Sequence, residues 1–305
     1  MTRRVAVIVH RSRPAAVQAA TEFIAGLSGQ GFACLMDAKD AEVVDQGARM
    51  AIEALDGEDG QGCELAVVFG GDGNILRSAE WALPRQVPVL GVNLGHVGFL
   101  AEMESADLGT LIERVVEKDY QVERRLTVEC VLRDAPGGKE VWRSFAVNEC
   151  SIEKRSPERM LEVLVRIDDR PLSRWATDGV LVATPTGSTA YAFSAHGPVV
   201  WPEVEALLLV PLSAHALFNR PLVLGTNTVV KVDVLPATPS GLIWCDGRRT
   251  AEISEGMELE VHAGESRFLL ARTSEQPFVT RLVRKFGLPV AGWRGAAERD
   301  EIHAQ

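Results

Sequence analysis

The sequence has few of the residues that mark disulfide frameworks and metal clusters. Its five cysteines are an odd number, and no two of them form a C-x-x-C pair. This pattern argues against a disulfide framework or a zinc site and favours a reducing compartment, so we expect a cytoplasmic protein. The six histidines likewise show no spacing typical of metal ligands.

Long runs of basic or apolar residues are also missing. The formal net charge is −10 and no long Lys/Arg run occurs, so a nucleic-acid partner is disfavoured. No apolar stretch approaches the ~20 residues of a membrane-spanning helix, and we expect no membrane association. The N-terminal apolar run is too short for a signal peptide and predicts a strand. A polyanionic substrate would therefore need a locally arranged site.

The chain has 305 residues, which favours about two domains. Residues 1–125 alternate strand and helix patterns, as an α/β domain requires. Residues 126–275 contain short β-like runs separated by turn residues, which predicts an all-β domain. Residues 276–305 carry a helical pattern, Phe278–Phe286, which we expect to pack back on the first domain, and end in a polar tail.

The same patterns predict individual elements. In the first domain we expect strands at Val5–His10, Phe32–Met36, Leu65–Phe69 and Pro88–Val92, and helices from Pro14, over Glu42–Leu55 and over Leu108–Val116. In the second we expect strands at Val122–Val131, Glu140–Val147, Leu161–Ile167, Gly179–Ala183, Leu207–Val210, Thr228–Val234, Leu242–Cys245, Glu258–Val261 and Phe268–Ala271.

The most informative motif is the glycine turn, Gly70-Gly71-Asp72-Gly73-Asn74, which follows an apolar run. Its glycines allow a bulky group to approach the backbone and permit φ > 0 at little cost. Backbone N–H groups at a helix start suit a phosphate. Asp72 would repel phosphate, so it must hold a cation or take a proton from a hydroxyl, as phosphoryl transfer needs.

Other glycine motifs fit this turn less well. It is not the dinucleotide fingerprint, because Leu76 stands where the third glycine should be, and no G-K-[ST] follows as in a P-loop. A strand–glycine–helix turn without a ligand is the remaining alternative.

Two further segments carry polar groups suited to a nucleotide. Small hydroxyl residues surround a glycine in Thr184–Tyr191, and Thr189–Ser194 could begin a helix whose N–H groups face a ligand. The alternative is a Ser/Thr-rich loop that caps a helix. Asn148 and Glu149 follow the strand Phe145–Val147, and such a pair can bind ribose hydroxyls or an adenine amino group, although exposed strand ends often carry one.

Together these segments resemble the NAD kinase family. The match follows the family order over roughly residues 5 to 290 and comprises Gly70–Asn74, Gly91–Leu100, Asn148-Glu149, Asp178–Ser194 with Gly197-Pro198, and Cys245-Asp246-Gly247. The G-G-D-G turn is shared with phosphofructokinases and lipid kinases, whereas the segment Thr184–Ser194 is more specific to NAD kinases.

The resemblance implies an enzyme that phosphorylates the 2′-hydroxyl of the adenosine ribose of NAD. The donor is ATP or, in some members, inorganic polyphosphate. A divalent cation is required, and because the sequence shows no metal cage we expect Mg²⁺ to arrive with the donor. By the same resemblance Asp72 is the general base, and Gly70, Gly71 and Gly73 line the phosphate turn.

The resemblance also implies which residues bind NAD. Arg77 would face the anion, Asn148 and Glu149 would hold the adenosine, and Asp178 would lie near the nicotinamide end. Arg159 matches a position that contributes from a neighbouring subunit, so we expect a homo-oligomer, a dimer or tetramer. The rest of the NAD-binding set is Asp72, Gly73, Thr189, Ala190, Tyr191, Ala192, Phe193 and Ser194.

One departure and two alternatives remain. Many members read Asp-Gly-Gln where this chain has Asp246-Gly247-Arg248-Arg249. The arginines would either favour a longer polyphosphate donor or form a solvated turn, and we favour the turn. A lipid or sugar kinase sharing the glycine turn is the alternative enzyme. A sensor that binds NAD(H) without turnover is the other alternative, which the intact Asp72 disfavours.

Overall fold

The computed structural model describes residues 2–55, 62–93, 98–101, 103–104, 108–236, 238–274 and 276–289. Four residues of the predicted Gly91–Leu100 motif, numbers 94–97, and the predicted polar tail lie outside this part. The chain divides into two compact units. The first comprises Met1–Ser78, Val87–Glu123 and Leu270–Gln305, and the second comprises Ala79–Gln86 and Arg124–Leu269.

The first unit is an α/β layer structure, as predicted. Its sheet has the strand order β3-β2-β1-β4-β5-β20-β7, with β6 beside β5. The strands are β1 (Arg4–Val9), β2 (Ala33–Met36), β3 (Ile52–Ala54), β4 (Cys63–Phe69), β5 (Val89–Asn93), β6 (Met103–Glu104), β7 (Gln121–Arg125) and β20 (Phe268–Arg272). The helices are α1 (Pro14–Gly29), α2 (Ala38–Ala41), α3 (Gln46–Arg49), α4 (Asp72–Arg85), α5 (Leu108–Glu117) and α7 (Phe278–Phe286).

Buried parallel strands form the centre of this sheet. β1 pairs in parallel with β2 and β4, and β4 pairs in parallel with β5. A strand covered on both faces needs a continuous apolar run, which both β1 and β4 have. Helix α1 buries Phe23, Ile24 and Leu27 in the core of the unit, and the Phe23 ring contacts the Phe69 ring edge-on at 5.4 Å.

Helix α7 packs on the first unit, which confirms the prediction for the C-terminal helix. The rings of Phe278 and Phe286 lie 5.9 and 5.8 Å from the ring of Phe99. The buried Arg281 guanidinium donates to the Phe99 carbonyl oxygen at 3.1 Å. These contacts fix the segment 98–101, which carries part of the site described below.

The second unit is a β-sandwich, which confirms the predicted all-β part. Its two sheets have the orders β15-β14-β13-β10-β17-β18 and β12-β11-β16-β19-β8-β9. The strands are β8 (Val128–Arg133), β9 (Glu140–Ala146), β10 (Glu149–Lys154), β11 (Leu161–Ile167), β12 (Arg170–Thr177), β13 (Gly179–Ala183), β14 (Ala206–Leu212), β15 (Leu222–Gly225), β16 (Val230–Val234), β17 (Gly241–Cys245), β18 (Arg249–Ile253) and β19 (Glu258–Ala263), and one helix is α6 (Tyr191–Ser194).

Both sheets of the sandwich contribute to one core. Their paired strands are antiparallel, and alternate side chains from each sheet are buried between them. Trp175 of β12 is completely buried there, together with Ile152 of β10 and Ile243 of β17.

Three predictions of elements were wrong. The strand Phe268–Ala271, expected in the second domain, is β20 and pairs with β5 in the sheet of the first unit. Residues 42–55 do not form one helix, because the Asp37 and Asp45 carboxylates cap the two short helices α2 and α3 and the chain then enters β3. The expected strand Val122–Val131 is two strands, β7 and β8, which belong to different sheets. The sequence pattern also missed β10, β12, β15 and β18, where charged or small residues interrupt the apolar alternation.

Within the described residues, every helix is too short or too polar to cross a bilayer.

Candidate active site

The glycine turn connects β4 to α4, as the sequence predicted. The Gly70 amide donates to the Val92 carbonyl at 3.0 Å. A side chain at Gly70 would meet the Asn74 amide nitrogen at 2.1 Å, whereas Gly71 and Gly73 face open space. None of these three glycines has positive φ, so the left-handed conformation that glycine permits is not used here. Gly70 allows close packing against Asn74, whereas Gly71 and Gly73 leave space in which a ligand can approach the turn.

Asp72 is the first residue of α4, and its carboxylate is bound by backbone amides. Phe99 N donates to Oδ2 at 2.9 Å, and Leu100 N and Ala101 N donate to Oδ1 at 3.1 and 3.3 Å. A carboxylate offers about four lone pairs. Among the described contacts, one lone pair of Oδ2 remains to accept a proton or a hydrogen bond.

Gly98 makes this arrangement possible. An added Cβ at residue 98 would lie 2.3 Å from Asp72 Oδ1 and 3.0 Å from its Cγ. Since the carboxylate is short and held by three amides, it can move away only by losing some of those bonds. Gly98 therefore sets the position of the Asp72 carboxylate, a role that no sequence motif predicted for it.

Arg77 has a partner that the sequence did not reveal. Its guanidinium contacts both oxygens of Asp40, at 2.7 and 3.3 Å, and donates to the Val9 carbonyl at 3.0 Å. Asp40 is 1% exposed and also accepts from Val9 N. A buried carboxylate needs such a charged partner. Contact between Arg77 and a bound ligand stays a prediction.

In the second unit, the buried carboxylate of Asp246 accepts hydrogen bonds from the backbone amides of residues 147–149. We call these three residues the Asn148 corner. Oδ1 accepts from Asn148 N at 2.7 Å and from Glu149 N at 3.4 Å, and Oδ2 accepts from Val147 N at 3.0 Å. Arg249 donates to Oδ2 at 2.9 Å. Burial nevertheless raises the pKa of Asp246, against the opposing effect of these donors.

The other side of the Asn148 corner is held by the segment that follows β13. Thr184 N donates to the Asn148 carbonyl at 2.8 Å, and Thr184 Oγ1 donates to the Val147 carbonyl at 2.6 Å. Gly187 packs so closely that an added Cβ would lie 2.1 Å from the Asn148 carbonyl oxygen. The main chain at Asn148 is thus fixed from both sides, and the predicted segments Asn148-Glu149, Thr184–Ser194 and Asp246-Gly247 meet here.

Glu149 is buried and incompletely hydrogen-bonded. Its Oε2 atom has no hydrogen-bond partner among the described residues. Burial raises the pKa of Glu149 to about 8, and the nearby Asp246 carboxylate adds to the effect. The glutamate is therefore largely protonated at neutral pH, so it can donate a hydrogen bond as well as accept one.

The Glu149 cavity is a pocket of about 360 Å³ bounded by Glu149, Ser151, Glu153, Tyr191, Trp244 and Gly247. It contains two carboxyl groups, two aromatic rings and no cationic side chain in its lining. Such a lining repels phosphate but can bind a nucleobase by stacking and hydrogen bonding. The cavity therefore suits the nucleoside part of a ligand.

A second pocket, the Asp178 cavity, shares Tyr191 with the first. It has a volume of about 560 Å³ and includes Asp178, Tyr191 and Ser194 from the predicted set. Lys154 Nζ contacts Asp178 Oδ1 at 2.6 Å. Asn219 and Arg220 also line the cavity and were not predicted, because no motif surrounds them. Because Tyr191 lines both cavities, the two cavities suit a ligand that has two linked parts.

The remaining predicted residues lie in the second unit. Thr189, Ala190, Tyr191, Ala192, Phe193 and Ser194 form the end of a 3₁₀ turn and helix α6, so the predicted helix start is present. Ala192 is buried, whereas Tyr191 and Phe193 are 38% and 41% exposed. Arg159 is exposed between β10 and β11.

Arg248 and Arg249 are both engaged in ion pairs. Arg248 contacts Glu80 at 2.7 Å, and Arg249 contacts the same carboxylate at 3.3 Å. Arg249 also lies over the Phe145 ring at 4.1 Å.

No group of three or more oxygen-bearing acids or histidines converges closely enough to hold a metal ion within the described ranges. The carboxylate of Asp72, the acid of the glycine turn, is instead committed to backbone amides.

The first unit supplies a glycine turn at a helix start, and the second supplies a cavity that suits a nucleoside; both are features of nucleotide-dependent phosphotransferases. Comparison with known proteins gives the particular family. The profile of the ATP-NAD kinase N-terminal domain matches residues 5–120, and that of the C-terminal domain matches residues 147–273. The chain belongs to the ATP-NAD kinase family.

Individual relatives agree with this assignment. The NAD kinase of Cutibacterium acnes is 48% identical over 303 residues, 99% of this chain and 95% of the relative. That of Thermobifida fusca is 51% identical over 307 residues, 98% and 94% of the two chains. The predictions of family and enzyme class are therefore confirmed: the chain is a kinase that phosphorylates NAD with ATP.

Solved structures show the same fold. Yeast NADH kinase, crystallised with NADH, superposes with a TM-score of 0.84 at 25% identity, over 95% of this chain and 89% of that one. An NAD kinase from Archaeoglobus fulgidus, crystallised with ATP, gives a TM-score of 0.71 at 26% identity, over 94% and 100% of the chains. The comparisons give no support to the alternative of a lipid or sugar kinase.

The Gly98→Ala variant should lower kcat by about 10- to 100-fold, because misplacing a catalytic group by about 1 Å costs on that order. NAD affinity should change little. Steady-state kinetics measures both. Gly29→Ala is the control, since a side chain at Gly29 meets nothing within 4 Å. A wild-type kcat in Gly98→Ala would show that the position of the Asp72 carboxylate does not limit turnover.

Glu149 should make stability depend on pH. Its pKa is raised to about 8 in the folded protein and returns to about 4.3 on unfolding. The folded state therefore holds the extra proton between these values, and the free energy of unfolding should fall as pH rises from about 4 to about 8. Glu149→Gln should flatten this fall in urea-unfolding titrations, whereas Glu252→Gln, a change at a side chain 54% exposed, should not. An unchanged pH profile in Glu149→Gln would contradict the buried-acid assignment.

Proposed function

We propose that Asp72 is the general base of the NAD kinase reaction. It removes the proton from the 2′-hydroxyl of the adenosine ribose while the γ-phosphoryl group of ATP is transferred to that oxygen. The observation that supports this role is the set of amide bonds to Asp72, which orients the carboxylate and leaves a lone pair on Oδ2. A ribose hydroxyl is a poor nucleophile at neutral pH, and a positioned base contributes roughly 10²–10⁴-fold.

The glycine turn supplies a phosphate site beside this base. Gly71 and Gly73 leave their backbone open to solvent, and α4 begins at Asp72. Amide groups at a helix N-terminus stabilise a phosphate by hydrogen bonds and by the helix dipole. The alignment of phosphate and hydroxyl accounts for the larger part of the rate in phosphoryl transfer.

The second unit holds NAD. The Glu149 cavity takes the adenosine, whose amino group and ribose hydroxyls match Asn148 and the carboxyl groups of the lining. The Asp178 cavity takes the nicotinamide end of NAD. Tyr191 lies in both linings and so contacts both halves of the dinucleotide, and Ser194 lines the Asp178 cavity. The family resemblance adds Thr189, Ala190, Ala192 and Phe193 to the NAD-binding set, although they line neither cavity and Ala192 is fully buried.

Several finer features follow from the family resemblance. Mg²⁺ enters with the triphosphate. Inorganic polyphosphate is an alternative donor. The enzyme is cytoplasmic and forms a homo-oligomer, in which the exposed Arg159 reaches the NAD of a neighbouring subunit. Arg77, anchored on Asp40, contributes positive charge near the phosphate turn.

Asp72→Asn tests the base. Asparagine retains an oxygen for the amides but cannot take up a proton, so kcat should fall about 10²–10⁴-fold while the dissociation constant for NAD stays within about threefold. NADP formation and calorimetric NAD binding measure the two effects. Asp119→Asn, at a side chain 69% exposed, serves as the control and should be fully active.

Near-wild-type turnover in Asp72→Asn would remove Asp72 from the mechanism. Wild-type protein that binds NAD but forms no NADP with any donor would instead favour the sensor alternative.

The arginine pair after Gly247 should not select the donor. Because Arg248 is paired with Glu80, Arg248→Ala should leave the ratio of activities with ATP and with polyphosphate within about twofold of wild type, as expected for an exposed ion pair of small energy. A donor panel of ATP, other triphosphates and polyphosphate measures that ratio. A selective loss of polyphosphate activity would assign Arg248 to donor binding.

A further inference from the structure

Three of the five cysteines meet in the core of the β-sandwich. Cys130 lies on β8, Cys150 on β10 and Cys245 on β17. All three are at most 1% exposed, and their sulfur atoms lie within 4.8 Å of one another. Cys150 and Cys245 are direct partners on neighbouring antiparallel strands, while Cys130 reaches them from the opposite sheet, with its sulfur 3.6 Å from that of Cys245.

This spacing matches a three-coordinate metal site. With metal–sulfur bonds of about 2.3 Å, three sulfurs in a trigonal plane lie about 4.0 Å apart. The Cys130 and Cys245 sulfurs are 3.6 Å apart and all three lie within 4.8 Å of one another, so binding would need side-chain movements of less than about 1 Å. The three ligands lie on strands of both sheets. The packing of the two sheets therefore brings them together before any ion binds.

Thiolate is the form that binds metal, so each thiol that becomes a ligand must give up its proton.

We propose that Cys130, Cys150 and Cys245 form a binding site for a single soft monovalent metal ion, Cu(I). All three ligands are sulfur, which soft ions prefer. A structural zinc ion takes four ligands, but the cluster supplies only three within the described residues. Burial of all three cysteines leaves little room for water as the fourth ligand. No cysteine of the cluster takes part in the phosphoryl transfer proposed above.

Binding is a ligand exchange without electron transfer. Cu⁺ leaves a chelator, each thiol that becomes a ligand loses its proton to solvent, and copper and sulfur keep their oxidation states. The alternative is that the cysteines only fill space, since buried thiols pack as small apolar side chains. The two possibilities differ in whether the cluster retains copper against a competing chelator.

A bound ion would also act on the Asn148 corner. Cys150 directly follows Glu149, and Cys245 directly precedes Asp246, whose carboxylate binds the amides of that corner. Tying β10 and β17 to β8 through one ion would restrict this corner. We therefore expect copper loading to change the dissociation constant for NAD, an effect that rests on the proposed NAD site.

The test is anaerobic titration of the full-length protein with the Cu(I)–bicinchoninate complex. Wild type should retain one Cu(I) per chain, and X-ray absorption should show three sulfur neighbours at about 2.3 Å. Cys130→Ala, Cys150→Ala and Cys245→Ala should each weaken retention at least tenfold. Cys34→Ala and Cys63→Ala are matched controls at buried cysteines outside the cluster and should retain the ion.

Failure of wild type to retain copper would overturn the proposal, as would equal retention by Cys245→Ala. Loss in the two control variants would show that binding is not at the cluster. If a cluster variant unfolds, which circular dichroism would reveal, the absorption spectrum of wild type still decides. If Asp72→Asn loses NADP formation but still retains copper, copper binding does not depend on the proposed kinase mechanism.

Discussion

The arrangement of the second unit depends on one buried carboxylate. Asp246 has positive φ, is 7% exposed, and accepts hydrogen bonds from successive backbone amides at Val147, Asn148 and Glu149. Desolvation of such a group is costly unless its oxygens are satisfied, so the amides and Arg249 must stay in place. This requirement fixes the backbone from which Asn148 and Glu149 project, and it places Glu149 where its own carboxyl group is left buried and largely neutral.

The first unit uses the same interaction for a different purpose. Asp72 also accepts from three consecutive backbone amides, at residues 99–101, but it lies at the end of a helix beside glycines that leave room for a ligand. Asp246 is shielded from solvent and fixes the backbone of residues 147–149. Asp72 is oriented by its amides and retains a lone pair that can accept a proton. The position of each carboxylate relative to solvent, rather than its type, separates the structural role from the proposed catalytic one.

The periodicity of apolar residues along the sequence predicted the main features of the fold. The α/β character of the first part, the β-rich character of the second and the helix Phe278–Phe286 are present as predicted. The wrong predictions concern segments in which the local residue pattern and the strand pairing of the tertiary structure favour different elements. Residues 42–55 have a weak apolar pattern that two aspartate caps divide, and β12 carries mostly polar residues at an edge of its sheet. The family motifs identified the glycine turn, the Asn148 corner and the segment after Thr184, because each has a characteristic order of small and polar residues.

The family, the enzyme class and the two-part architecture could be predicted from local motifs and residue periods along the chain. The role of each charged side chain, in contrast, follows from contacts between distant parts of the chain. Arg77 is paired with Asp40, Gly98 makes space for Asp72, and three cysteines far apart in sequence share one point of the core. The reason is physical: hydrogen bonds, ion pairs and sulfur contacts depend on distances of a few ångströms, and strand pairing across sheets sets those distances without leaving a local pattern in the sequence.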